Sequence, residues 1–83
     1  MATFKWINKE PSLNFFGKVT SMSLALECTD GTKTVQTTGA VCFGPDNIKD
    51  KSEWTETTID AFAEEVRERN GWDDMLIEEL ENA

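Results

Sequence analysis

Histidine and tyrosine are absent from this 83-residue chain. Without an imidazole, nucleophilic triads that pass a proton through histidine are excluded, and acid–base work would fall to carboxylates, lysines or thiols. Cysteine occurs only at Cys28 and Cys42. Two residues are too few to staple a small secreted scaffold, and their spacing fits neither a zinc site nor a redox motif, so both read as free thiols of a reducing cytoplasm. Long hydrophobic runs are missing too. The start Met1-Ala2-Thr3-Phe4-Lys5-Trp6 has no basic segment leading into an apolar one. Neither a signal peptide nor a membrane span is therefore expected.

Positive charge is scarce: 8 bases stand against 16 acids, a net charge of -8. The deficit is local. Residues 45–83 hold 13 acids and four bases (Lys49, Lys51, Arg67, Arg69), a net of -9, which leaves the first 44 residues at +1. Such an acidic half repels nucleic-acid and membrane phosphates and steers toward basic protein surfaces. Direct nucleic-acid binding and membrane binding are not expected. At this length residues 1–83 form one domain, and an apolar content of 39% argues against disorder.

Residues 3–8 alternate, with Phe4 and Trp6 on one face, and read as a short strand that Pro11 ends. The segment 12–17, with Phe15 and Phe16, either leads into the next strand or folds over the sheet as a flap. Residues 19–28 place Met22, Leu24, Leu26 and Cys28 on one face with Ser21, Ser23, Ala25 and Glu27 opposite, and residues 32–43 alternate as well. Asp30-Gly31 between them is a hairpin signal, because both positions tolerate positive φ. If these two are the turn, Leu26 faces Val35, Leu24 faces Thr37 and Met22 faces Gly39. Gly39 then leaves room for a large side chain, for which Trp6 is the candidate. The same register holds Cys28 and Cys42 too far apart for a disulfide.

Gly44-Pro45-Asp46 closes the sheet, and residues 46–53 read as a surface connection. A helix begins near Trp54, capped by Thr55 or by Thr57, the latter forming a capping box with Asp60; Ile59, Phe62, Ala63 and Val66 make its stripe. Asn70-Gly71 stops it. Trp72, Met75, Leu76 and Leu80 repeat at helical spacing in a second helix, with Asp73 and Asp74 in its first turn, fraying after Glu81. The expected fold is α+β: a three-stranded antiparallel sheet, made of a β-hairpin and an N-terminal strand, packed by two C-terminal helices.

No signature of catalysis stands out. Asp60 and Glu64 lie one turn apart, but adjacent acids on an exposed helix are a solvated face far more often than a catalytic pair. Asp46, Asp50, Ser52 and Glu53 could offer oxygens to calcium, yet neither aspartate opens the spacing of a helix–loop–helix calcium loop. Glycines 31, 39 and 44 sit in strands and turns and form no phosphate-cradling loop. No cofactor, no metal and no enzymatic activity are expected. Trp6 and Trp72 read as core, whereas Trp54 reads equally as a staple onto Thr58 or Ile59 and as an anchor for a partner.

The helix acids are the most suggestive feature. Glu65 can pair with Arg69 and Glu64 with Arg67, but Asp60–Glu64, Glu64–Glu68 and Asp74–Glu78 are like-charge neighbours one turn apart, each mildly destabilising. Their carboxylates repeat at about 5 Å, close to the spacing of phosphates along a strand. Asp60, Glu64, Glu68, Asp74, Glu78 and Trp54 are accordingly the candidate partner-binding residues.

The opening Met1-Ala2-Thr3 with Trp6, the Asp30-Gly31 hairpin and Gly39, Phe43, Pro45 and Asp46 ahead of Trp54 resemble small uncharacterised proteins of tailed phages. The resemblance covers about the first half of the chain, through short motifs of low specificity, and lacks an aromatic near Met22. It implies a phage origin and a place in the host cytoplasm, and carries no functional residues. Two functions compete: a protein-interaction module whose acidic helices engage a basic protein surface, and a structural or assembly module self-associating through a sheet edge or through residues 13–16. A carboxylate enzyme or a calcium module is a weaker third.

Overall fold

The computed structural model describes residues 2–43 and 48–83. Three long strands form an antiparallel sheet: β1 (Thr3–Leu13), β2 (Lys18–Thr29) and β3 (Thr34–Cys42), in the order β1-β2-β3. A two-residue β4 (Lys49–Asp50) also pairs with β2, joining Lys18 to Asp50 and Val19 to Lys49. A 3-10 turn (Lys51–Glu53) leads to α1 (Glu56–Arg69) and α2 (Trp72–Asn82). The expected sheet with two C-terminal helices is present, with β4 as an addition.

The alternation of β2 puts Met22, Leu24, Leu26 and Cys28 fully out of water, against Ala63 and Val66 of α1 and Trp72, Leu76 and Leu80 of α2. Burying each of the larger side chains is worth about 1.5–3 kcal/mol. Ile59 and Phe62 border this core, as the α1 stripe requires. Met75, expected inside, is 41% exposed. The row Trp72, Leu76, Leu80 makes the contact, and Met75 falls on the flank beside it.

The β2–β3 register is displaced by two from expectation. Thr29 pairs with Thr34, so the connection is the four residues 30–33, and Leu26 faces Thr37, Leu24 faces Gly39 and Met22 faces Val41. The Asp30 carboxylate accepts N–H bonds from Thr32 (2.8 Å) and Lys33 (2.7 Å), so Asp30 initiates the turn rather than occupying its centre. Gly31 alone there has positive φ, at 93°. Four residues and two have the same parity, so the apolar faces still coincide. Cys28 and Cys42 remain at opposite ends of the hairpin, both free.

The pocket over Gly39 is filled by Trp72 and not by Trp6. A Cβ on Gly39 would stand 3.0 Å from Cζ2 of Trp72, and Trp6 packs on the far side of that indole, ring centres 6.2 Å apart. β1 continues past Pro11 to Leu13, because on an edge strand the missing proline N–H can face solvent and costs no ladder bond. A register shift at Ile7, between the pairs Trp6–Leu26 and Asn8–Ala25, moves Lys9 rather than Asn8 opposite Leu24 on the helix side. The segment 14–17 is a hairpin tip: the side-chain Oδ1 of Asn14 accepts from the N–H of Phe16 and of Lys18, and Phe15 and Phe16 project into solvent, 101% and 82% exposed. Neither side chain covers the sheet.

Helix α1 is capped by Thr55, whose hydroxyl accepts from the Thr58 N–H at 3.3 Å; Thr57 lies within the helix. Gly71, at φ 61°, ends the turn between the helices, and α2 runs to Asn82, one residue beyond Glu81. Among the described residues no helix is long and apolar enough to cross a membrane. The expected turn at residues 44–46 lies outside the described residues.

Candidate interaction surface

The first candidate row runs along α1 at four-residue spacing. Asp60 faces β1, where the shift at Ile7 delivers Lys9, and the two form an ion pair at 2.5 Å. One turn on, Glu64 accepts the indole N–H of Trp6 at 3.0 Å and lies 3.4 Å from Arg67. Asp60 and Glu64 therefore serve the fold as well, since both tie α1 to the sheet. Each contact is at least partly solvent-facing and worth less than about 1 kcal/mol. Glu68 continues the row and, among the described residues, meets no cation.

The two helices are joined by Arg67. Its guanidinium is held bidentate by Asp73, with Nη2 at 3.1 Å from Oδ2, and sits 4.8 Å over the Phe4 ring. Asp73, ahead of Glu64, makes this cation harder to deprotonate than a free arginine. Glu64, Arg67, Glu68 and Asp73 line a shallow depression of about 290 Å³. Arg69 pairs with Glu65 at 2.5 Å, so both anticipated helical pairs are present. On α2 the carboxylates of Asp74 and Glu78 are exposed and, among the described residues, without a partner.

Trp54 is placed apart from this surface. Its ring stacks on Phe43 (5.3 Å, 25°) and meets Phe62 edge-on (5.7 Å), with the Lys49 ammonium 5.7 Å away. It joins Ile59 and Phe62 among the hydrophobics packed around the core. Its indole N–H is buried and, among the described residues, lacks an acceptor. With Val41, Cys42, Glu65 and Arg69 these rings border a half-open groove of about 380 Å³. The candidates thus divide three ways: Asp60 and Glu64 engaged internally, Glu68, Asp74 and Glu78 free toward solvent, and Trp54 beside a different concavity.

Of the calcium candidates, Asp50 pairs with Lys18 (2.7 Å), Glu53 accepts the Asp50 N–H, and Asp46 lies outside the described residues. Among the described residues no three cysteine, aspartate or glutamate side chains gather where they could hold a metal ion. Comparison with protein-family models, with curated proteins and with solved structures returned no match.

Proposed function

We propose that this chain is a non-enzymatic protein-interaction module whose acidic helices engage a basic protein surface. The observation that supports it is the division of the helix acids. Asp60 and Glu64 have work inside the fold, but Glu68, Asp74 and Glu78 add like charge to the same layer and, among the described residues, pair with no cation. Such a field attracts a basic partner from a distance and weakens with salt. The phage resemblance fits a partner in the cytoplasm of a bacterial host.

The test is capture from host lysate on the immobilised chain, eluting with rising salt, beside a variant carrying Glu68→Gln, Asp74→Asn and Glu78→Gln. A basic protein retained by the parent chain and released at moderate salt, but not retained by the variant, is the expected result. Retention indifferent to both salt and variant would sink the reading. The exposed Phe15 and Phe16 favour a second reading, self-association through the hairpin tip. It requires a mass that rises with concentration in sedimentation equilibrium and ceases to rise after Phe15→Ser with Phe16→Ser.

A further inference from the structure

The two edges of the sheet are built differently. β1 carries the devices that discourage a further strand from pairing: a register shift at Ile7, a proline at position 11, and the charges of Lys5, Lys9 and Glu10. β3, Thr34-Val-Gln-Thr-Thr-Gly-Ala-Val-Cys42, has no charge and no proline, and pairs with β2 without a shift over its whole length. Among the described residues nothing pairs with its outer side, since β4 bonds to β2. An extended segment could therefore add to β3 along an unbroken row of backbone N–H and C=O groups.

What would lie beside such a strand follows from α2. This helix packs over β3 and β2, and α1 over β1. Asp73 reaches Arg67, which sits on Phe4 of β1, so the flank of α2 bearing Asp73 looks toward β1. At about 100° per residue, Met75, Glu79 and Asn82 fall on the opposite flank, the one beyond β3, with Glu78 on its outer, solvent-facing margin. That flank offers exposed carboxylates and the exposed Met75 thioether above the free edge. A second copy of the chain is a poor occupant. Antiparallel β3–β3 pairing about a two-fold axis keeps both helix layers on one face, so two acidic helix layers would stand side by side and repel.

We propose that the β3 edge is a strand-addition site for an extended basic peptide segment, whose lysine or arginine side chains on the helix side meet Glu78 and Glu79. This rests on the reading of the acidic helices as a surface for basic partners and names the form of the partner. The probe is a short synthetic peptide of alternating lysine and valine, compared with its counterpart N-methylated at every backbone amide, which keeps the charge and cannot pair as a strand. Both are titrated into the isotope-labelled full chain at low and moderate salt while amide shifts are followed.

The parent peptide should shift amides of residues 34–42 and weaken with salt. The methylated one should bind about tenfold more weakly or worse, since several backbone hydrogen bonds are lost. Glu78→Gln with Glu79→Gln, on an exposed helix flank that does not endanger folding, should weaken the parent peptide severalfold. Equal binding of both peptides with shifts confined to the helices would overturn the edge site and leave the acidic-surface reading standing. Binding by neither at low salt would overturn both. Binding sensitive to methylation but not to salt or to the glutamine variant would reject a basic occupant. Shifts in 34–42 that grow with protein concentration alone would assign the edge to a second copy.

Discussion

An ideal Cβ at Gly39 meets Cζ2 and Cη2 of Trp72 at 3.0 and 3.3 Å, and the indole has little room to retreat because it is itself buried between β3 and Trp6. Gly39→Val should therefore cost about 1–3 kcal/mol through overpacking, read as a lower urea midpoint with an unchanged slope. Asp30 carries a different sensitivity. Backbone N–H bonds from Lys33 and then Thr32 hold its carboxyl below the usual carboxylate range. The folded value is the lower one, so this stabilisation is complete above the unfolded value of about 4 and disappears as pH falls through the folded value. Asp30→Asn keeps an acceptor without the titration, and should flatten the loss of stability that sets in as pH falls below about 4. The thiols differ by placement: burial pushes Cys28 up, while Cys42 is exposed. Under native conditions alkylation should mark Cys42 alone by mass spectrometry, and Cys28 should react only on unfolding.

At the scale of elements, the sequence was most legible where period alone decides. The faces of β2 and the stripe of α1 could be read because Met22, Leu24, Leu26 and Cys28, and Ile59, Phe62, Ala63 and Val66, repeat at 2 and at 3.6 residues. Turn length was not legible in the same way, since Asp30-Gly31 marks where the chain reverses but leaves open whether aspartate starts the turn or sits within it. Parity preserved the core face and hid the error in register. The shift at Ile7 has no glycine to announce it, yet it decides which residue reaches Asp60, so the engagement of that acid was invisible before the strands were paired. The cap was open between two threonines. Thr55→Ala should cost about 1 kcal/mol, and Thr57→Ala, within the first turn, much less, when both are compared by thermal melting.

At the scale of the molecule, length follows from the central strand. Twelve residues of β2 at about 3.3 Å each give close to 40 Å, and the whole measures 44 × 19 × 19 Å. A body so long for its width spreads its apolar residues along a narrow core, which suits a domain that gains from a partner. Every strand in this sheet bonds to β2. The sheet is thus a hub with three spokes and no rim, and either outer strand can come away without loosening the other. Amide exchange should show it as two separate openings at the edges, β1 and β3, each of lower energy than the release of β2, whose own amides should exchange only when the whole chain unfolds.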